Sequence, residues 1–519
     1  MGCAGSTPAE PIGKEQVSLG MANAPPQEQA GGSPLIKLED ESMPFKGDAK
    51  LDATFKDLHE GKPGCVIPKA ELRAATVLQL AAVAKHIERR CEAEGWADSR
   101  KPSVKLTART VNLYAADGYV IKPATEARQC AYIELVALYA QPPKRFCSHW
   151  WGEPVLDFVD CVVTHAMDHG YSLEGCEHYD PTAGYWVCAY ANNQWDLASV
   201  NTPTLEETSF YKALKLAEGA ISVLDKGGMC FKRVWCSYEC YVVLTKIEGL
   251  KYEVYTAKEH DSKDFANQSR PRSAVGIIDG LGMRDVGEGA FVAETTQDKA
   301  LREGHFPMGL AKQAFQLTLE TAEASVEADR VKILNTIAEQ ANLDAEPPET
   351  HERYDALNAI LRGRFAIVAL RGLLAAGEPI EQAAKLLKGC GRRKLELGFK
   401  GVKAFDAKAM QLIAQNLPPE LEELDMRSGG LRGSHMQPLA DALRVHASVT
   451  RVDVRYTNIA GDGASQLSAA VLGNEKIEVF NAVPIKEMRA DSFTELDLSQ
   501  KGIGVEGGLV VADLLPAMP

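Results

Sequence analysis

The sequence of 519 residues predicts a multidomain α/β protein. Between residues 185 and 257, apolar strand-like segments alternate with helix-like segments, a pattern typical of a small parallel sheet with crossover helices. Near the carboxyl terminus, three similar segments begin at Leu421, Val449 and Ile477, at intervals of 28 residues. A fixed period of this length indicates stacked structural repeats that form a solenoid.

Composition narrows the classes of function. Hydrophobic residues make up 45% of the chain and charged residues 25%, values that are ordinary for folded proteins. The formal net charge of −14 argues against nucleic acid as a partner, because binding to phosphates needs a basic surface. The sequence contains no run of about 18 apolar residues, so it predicts no transmembrane helix.

The amino terminus, MGCAGST, matches the pattern for N-myristoylation of Gly2. One acyl chain binds membranes weakly, and palmitoylation of Cys3 would supply the second anchor. The composition of residues 1–50, rich in Pro, Gly and Gln, predicts a disordered acylated tether. We therefore expect the chain at the cytoplasmic face of a membrane, with the plasma and ciliary membranes as candidates. An ordinary flexible terminus is the alternative.

The regions on either side of the α/β module are predicted to be mainly helical. Within residues 51–145, KAELRAATVLQLAAVAKHIERRCEAEGW carries apolar residues at helical spacing, whereas TVNLYAADGYVIKPAT is predicted to be extended. Residues 259–390 combine a polar, glycine-containing stretch with helical patterns. We expect this second region to be a helical connector.

The module itself is assigned to residues 146–258. YWVCAYAN, GAISVLD and LKYEVYTA are predicted strands, and the segments between them, TLEETSFYKALKLA and RVWCSYECYVVLTKI, are predicted helices. Trp235 and Glu239 lie four residues apart, on one face of the second helix. This helix follows a strand, and ligands bind at the carboxyl ends of strands in open parallel sheets.

This arrangement resembles the Toll/interleukin-1 receptor (TIR) domain, in which a strand is followed by a helix bearing W-C-x-x-E or W-x-x-x-E. In the members of that family that cleave NAD, the glutamate is catalytic. The resemblance implies that Glu239 engages the nicotinamide ribose of NAD, with Trp235 packing beneath it. It covers residues 185–257, where one helix separates the two matching strands and the family has two strand–helix units. The alternative is a buried Trp235 and an ion pair of Glu239 with Lys232 or Arg233.

A cluster of cysteine and histidine residues precedes the module's first predicted strand. His165 and His169 are four residues apart, so one helical face presents both imidazoles. With Cys147 and Cys176 they are candidate ligands for zinc, which takes four such ligands. No CxxC pair is present, and the alternative is that these residues are buried core or exposed loop residues. A nucleophilic Cys–His pair is a further alternative.

The periodic segments resemble leucine-rich repeats of the ribonuclease-inhibitor type, over residues 391–519. Leu421, Leu424, Met426 and Leu431 recur 28 residues later as Val449, Val452, Val454 and Ile459. The resemblance implies strands on a concave face that binds a protein partner. The positions expected to contact the partner are Asp425, Arg427, Asp453, Arg455 and Asp497.

Together these features predict a membrane-tethered cytosolic signalling adaptor that binds a partner protein through its repeats. The first alternative is a TIR-like NAD-cleaving hydrolase that uses Glu239. The second is a metal-binding module around residues 147–178. The surroundings of Glu239 distinguish the first two hypotheses, because an ion pair with a lysine or arginine would remove the carboxylate from catalysis.

Overall fold

A computed structural model describes residues 41–47, 50–59, 61–171, 183–196, 202, 204–258, 273–287, 290–398, 406–427, 430–492 and 495–515. Gly2, Cys3 and Cys176 lie outside these residues. The described residues form a mixed α/β structure with a six-stranded sheet, a five-stranded sheet and a two-stranded hairpin. The α/β class predicted from the sequence is thereby confirmed. No helix among the described residues is long and apolar enough to cross a membrane.

One long helix and several short ones lie within residues 56–136. The bounds are α1 Lys56–His59, α2 Val77–Glu94, α3 Leu113–Ala116, α4 Lys122–Thr125 and α5 Tyr132–Val136. Helix α2 begins with a capping box, because the Thr76 hydroxyl accepts from the Gln79 amide and the Gln79 side chain accepts from the Thr76 amide. It ends at Gly95, where a φ of 65° favours glycine.

Residues 113–125 are helical, although the segment TVNLYAADGYVIKPAT predicts an extended chain. The Asn112 side chain accepts from the Ala115 amide and caps α3. A wider helical turn over residues 117–121 joins α3 to α4. Leu113, Val120 and Ile121 are buried. The cap and the burial of these residues against the core favour the helix over the extended form.

The six-stranded sheet forms the centre of the molecule. Its strands are β1 Ala75–Thr76, β2 Arg145–Ser148, β3 Gly184–Trp186, β4 Gly219–Leu224, β5 Lys251–Ala257 and β6 Ala274–Ile277. They lie in the order β1-β3-β2-β4-β5-β6, in which β3, β2, β4 and β5 are parallel and the two edge strands are antiparallel. The helices between them are α6 Val155–Asp168, α7 Cys188–Ala191, α8 Ser209–Leu216 and α9 Val234–Tyr241.

Strand β2 is an element that the sequence pattern did not predict. Its four residues, RFCS, are all buried, so they show no alternation of apolar and polar residues. Segment YWVCAYAN is a strand only as far as Trp186 and then turns into α7. The strand before Trp235 and Glu239 is therefore the third parallel strand along the chain, with two strand–helix units before it.

The region predicted as a helical connector contains strands as well. Strand β6 completes the edge of the large sheet by pairing with β5, and β7 Met283–Gly287 pairs with β8 Ala290–Ala293 in a hairpin. Five helices follow. They are α10 Thr296–Glu303, α11 Met308–Ala314, α12 Glu327–Ile337, α13 Glu352–Ala376 and α14 Glu381–Leu387.

Four parallel strands and one antiparallel strand form the second sheet. They are β9 Lys394–Glu396, β10 Glu423–Asp425, β11 Arg451–Asp453, β12 Val479–Phe480 and β13 Val483–Pro484. Glu423 pairs with Arg451, and Arg451 with Val479, so the pairing register repeats the 28-residue period of the sequence. The helices are α15 Ala407–Ala414, α16 Met436–Val445, α17 Asp462–Gly473, α18 Ile485–Arg489 and α19 Gly504–Leu514.

We expect Gly463→Ala to destabilise the carboxyl-terminal region. A β-carbon at this position, in the first turn of α17, would overlap the backbone of Gly433 in the preceding unit. Such overpacking costs about 1–3 kcal/mol, and thermal unfolding followed by circular dichroism will show a lower midpoint. Gly473→Ala is the control, because its added methyl group meets no atom within 4 Å. Equal midpoints for the two variants would contradict this prediction.

Candidate functional site

A cleft lies at the carboxyl ends of the central parallel strands. The chain leaves β2 toward β3 on one side, whereas β4 lies on the other side of β2. Loops that follow β2 and β4 therefore diverge, which is where open α/β sheets bind ligands. The cavity there has a volume of about 560 Å³. Its lining includes His149, Cys188, Phe210, Arg233, Trp235, Glu239, Asp329 and Lys332.

Glu239 lines this cleft from helix α9. Its side chain is almost fully buried, and its Oε2 has no hydrogen-bond partner. Burial raises the pKa of the Glu239 carboxyl well above its usual range, and a hydrogen bond with Ser148 opposes this effect only in part. Burial therefore favours the protonated form of this carboxyl in the ligand-free protein.

The ion pair that would have removed Glu239 from catalysis does not form among the described residues. Arg233 donates instead from Nη2 to Ser325 Oγ at 2.8 Å. Lys232 is exposed on the surface of the short turn before α9. The alternative interpretation of Glu239 as a structural ion-pair partner is therefore wrong.

Trp235 forms an aromatic wall with Phe210. Their ring centroids are 5.5 Å apart with an interplanar angle of 26°, and both residues line the cleft. The indole Nε1 of Trp235 donates to Asp329 Oδ2 at 3.1 Å, which fixes the ring from the side of α12. Trp235 is thus half-buried: it lines the cleft and also packs against the hydrophobic core.

A histidine and a cysteine meet at the same cleft, but they do not form an activated nucleophile. His149 Nε2 and Cys188 Sγ are 3.9 Å apart. Burial lowers the pKa of His149 to about 4 and raises the pKa of the Cys188 thiol to about 12. The thiol stays protonated at neutral pH, and nucleophilic attack requires the thiolate.

The predicted zinc ligands are brought together only in part. His165 and His169 both contact Glu253, with each Nε2 at 2.9 Å from Oε2. Cys147 is buried in β2 and is not a member of this group. Cys176 lies outside the described residues. Glu253 was not predicted from the sequence, because it belongs to β5, more than 80 residues further along the chain. No pattern of residues around Glu253 links this carboxylate to the two histidines.

Four of the five residues predicted to contact a partner protein form ion pairs with one another. Arg427 Nη2 lies 2.6 Å from Asp425 Oδ2, and Arg455 Nη2 lies 2.7 Å from Asp453 Oδ2. Arg427 also approaches Asp453, at 3.5 Å, which links the two pairs across β10 and β11. Asp497 is exposed. The four paired side chains therefore form one charged ladder along the parallel strands.

Glu153, in the loop between β2 and α6, is a second residue that was not predicted from the sequence. It is buried, both of its carboxyl oxygens lack a hydrogen-bond partner, and burial raises its pKa well above the usual range. Its position in the loop that follows a central strand is the signal that would have found it, once β2 had been recognised.

We expect Glu239→Gln to stabilise the protein increasingly as the pH rises from 4 toward 8. The folded state raises the pKa of this carboxyl above its value of 4.5 in the unfolded chain. Above that value the folded state holds a proton that the unfolded state has lost, so stability falls with pH, by up to about 1.4 kcal/mol per pH unit. A glutamine side chain cannot ionise, so this dependence disappears in the variant.

Thermal midpoints of wild type, Glu239→Gln and Glu248→Gln, measured from pH 4 to pH 8, test this effect. Glu248 is exposed and serves as the control. A constant difference between wild type and Glu239→Gln over the whole range would show that Glu239 has the same pKa in both states.

Comparison with known proteins assigns no family and no function to this cleft. No protein-family model matches the chain, and a search of curated proteins finds no match. The function of the chain is therefore inferred from the cleft around Glu239, its strand topology and the chemistry of its side chains.

Proposed function

We propose that the chain is an enzyme that cleaves the nicotinamide–ribose bond of NAD in the cleft around Glu239. The observation that carries this proposal is an almost fully buried carboxyl with an unpartnered oxygen at the lining of an open cleft. Perturbed acids in clefts are typical of functional sites. A structural role would call for a hydrogen-bond or ion-pair partner for that oxygen, since buried polar groups are normally paired.

The strand topology supports the resemblance to TIR domains. With β2 and α6 included, two strand–helix units precede β4, the number that the family has before its motif helix. The parallel strands lie in the order β3-β2-β4-β5. Trp235 and Glu239 follow the third of them along the chain, at the edge where open α/β sheets bind ligands.

The other residues of the cleft suit a nucleotide. The wall of Phe210 and Trp235 offers a flat apolar surface on which a nicotinamide or adenine ring stacks. Arg233 and Lys332 line the same cleft and provide positive charge for a diphosphate. The positive charge of these two side chains is confined to the cleft, since the chain as a whole is acidic.

In this proposal Glu239 stabilises the positive charge that develops on the ribose. The bond between C1′ and the pyridinium nitrogen breaks with its electron pair on nitrogen, so nicotinamide leaves as a neutral molecule without a general acid. The cationic substrate favours the ionised form of Glu239, which then faces the oxocarbenium-like transition state. Water adds to C1′, and the products are ADP-ribose, nicotinamide and one proton.

Wild-type full-length protein should consume NAD and release nicotinamide. Chromatography measures the amounts of both compounds over time. Glu239→Gln keeps the size of the side chain but removes the negative charge, so turnover should fall by about 100-fold or more. Phe210→Ala should raise KM more than it lowers kcat, because it removes stacking surface. Glu248→Gln should match wild type. Circular dichroism checks that all four proteins are folded, and absence of turnover by folded wild type contradicts the proposal.

A second candidate function is that of an adaptor, with the second sheet as a leucine-rich repeat solenoid that binds a protein partner. The charged ladder of Asp425, Arg427, Asp453 and Arg455 supports it, as does Tyr456, whose side chain beside the ladder is 64% exposed. Arg and Tyr are enriched in protein interfaces. In an adaptor without enzymatic activity, Glu239→Gln would leave partner binding unchanged, and folded wild-type protein would not consume NAD.

Either function would be exercised at a membrane if the amino terminus is acylated, as we propose for Gly2 and Cys3. Two acyl chains give stable attachment, whereas one gives marginal attachment. The acidic tether sequence offers no cluster of lysine and arginine as a substitute for the second chain.

Gly2→Ala should therefore shift the protein from the membrane fraction to the soluble fraction of expressing cells, because alanine is not a substrate for N-myristoylation. Cys3→Ser should weaken attachment while leaving the myristoyl chain in place. Ala4→Ser is a control that alters neither site. Membrane attachment of Gly2→Ala equal to that of wild type would contradict acylation at Gly2.

A further inference from the structure

A second cluster of functional side chains lies on the opposite face of the large sheet, under helix α6. His165 projects from the last turn of α6, His169 is the C-cap residue directly after this helix, and Glu253 projects from β5. The Nε2 atoms of both histidines are 2.9 Å from the same oxygen, Glu253 Oε2. All three ligand atoms lie within 4.8 Å of one another. Tyr252 and Val254, the neighbours of Glu253, face the other side and belong to the core under α9.

The two histidines differ in how they are held. His165 is fully buried, and its Nδ1 lies 2.8 Å from the hydroxyl of Tyr185. Such a contact on the second ring nitrogen fixes the orientation of a metal-binding imidazole. His169 stacks on Tyr171, and 10% of its side chain is exposed. His169 therefore offers the route from solvent to the cluster.

In the part of the protein that the structure describes, no permanent positive charge balances the negative charge of the Glu253 carboxylate in this cluster. Glu253 is fully buried, its Oε1 has no hydrogen-bond partner, and its Oε2 contacts the two imidazoles. The nearby guanidinium of Arg145 pairs with Glu218, at 3.4 Å. A buried carboxylate normally needs a cationic partner. The cluster lacks a permanent one among the described residues.

We propose that His165, His169 and Glu253 bind a divalent transition-metal ion, with Zn²⁺ as the ion that fits them best. Two imidazole nitrogens and one carboxylate form a known zinc ligand set, whereas Mg²⁺ and Ca²⁺ prefer oxygen ligands. Tetrahedral ligands about 2.1 Å from zinc are about 3.4 Å apart. The two observed Nε2–Oε2 distances of 2.9 Å are about 0.5 Å shorter than this, and the two Nε2 atoms lie within 4.8 Å of each other.

The ion would also satisfy the groups that the protein leaves unpaired. It carries the positive charge that Glu253 lacks, and bidentate binding would give Oε1 a partner. With the ion on both Nε2 atoms, His165 carries its proton on Nδ1 and donates it to the Tyr185 hydroxyl oxygen. The site joins the end of α6 to the middle of β5, so zinc stabilises the fold on this face of the sheet.

The test uses full-length protein purified without a metal-binding tag, stripped with a chelator and then titrated with Zn²⁺ against a chromogenic competitor. Wild type should bind one equivalent. His169→Gln and Glu253→Gln should each lower the affinity at least tenfold, because each removes a ligand. His305→Gln, at an exposed histidine outside the cluster, should bind as wild type does. Cobalt in place of zinc should give wild type the visible absorption of a low-coordinate site, and Mg²⁺ should not compete.

Thermal unfolding in chelator checks that each variant is folded. If both ligand variants fail to fold, Tyr185→Phe decides the question, since it keeps the ring but removes the oxygen that faces His165 Nδ1. Its zinc affinity should fall about tenfold. The proposal is overturned if wild type binds no stoichiometric zinc, or if the folded ligand variants bind zinc as tightly as wild type does. Where neither ligand variant folds, it is overturned if Tyr185→Phe binds zinc with unchanged affinity.

Discussion

The central position of β2 between β3 and β4 is the constraint on which the rest of the large sheet depends. Phe146 pairs with Trp186 on one side and with Ala220 on the other, and its ring stacks on Trp186 at 5.1 Å. The chain leaves β2 toward β3 and leaves β4 in the opposite direction, toward β5, so the loops that follow β2 and β4 separate. His149 and Glu239 reach the cleft from elements that follow β2 and β4.

The alternation of side chains along β5 divides the chemistry between the two faces of the sheet. Tyr252 and Val254 join the core under α9, whereas Glu253 meets the histidines of α6. The backbone of this strand is also held from outside, because Arg364 of α13 donates to the Tyr252 carbonyl and pairs with Asp279. Although burial opposes it, the charge of Arg364 keeps the pKa of Asp279 low, at about 2. The long helix is thereby fixed to β5, the strand that carries Glu253.

The sequence predicts elements well where a pattern repeats several times. Helix α2 and the 28-residue interval between β10, β11 and β12 appear where the apolar spacing indicates. Strand β2 has four buried residues that include a charged one, Arg145, so no alternation exists to detect. Residues 113–125 form a helix through a cap and tertiary burial, which local patterns do not encode. Beyond β12, Asn481 and Ala482 adopt positive φ, and the chain turns back into an antiparallel strand.

The same limit applies to the two sites. Trp235 and Glu239 share a short helix, and their spacing, together with the resemblance of this segment to the W-x-x-x-E motif of TIR domains, was enough to select them. Glu253 is separated from His165 by 88 residues, so only the pairing of distant strands brings the carboxylate to the imidazoles. A local pattern can therefore identify ligands within one element, but it cannot complete a ligand set that spans the sheet.

The two buried glutamates illustrate how surroundings assign different chemistry to one residue type. Glu253 contacts two imidazoles that stabilise its ionised form, and although burial opposes them, their hydrogen bonds hold its pKa below the usual range. Glu239 has a thiol and a hydroxyl nearby, so burial dominates and raises the pKa of its carboxyl, which favours the neutral form. In the proposals made above, a cation that enters the cleft favours the ionised form of Glu239, whereas the buried carboxylate of Glu253 holds a metal ion in place. Burial without a permanent counter-charge thus suits Glu239 to a transient, positively charged substrate, and burial between imidazoles suits Glu253 to a resident ion.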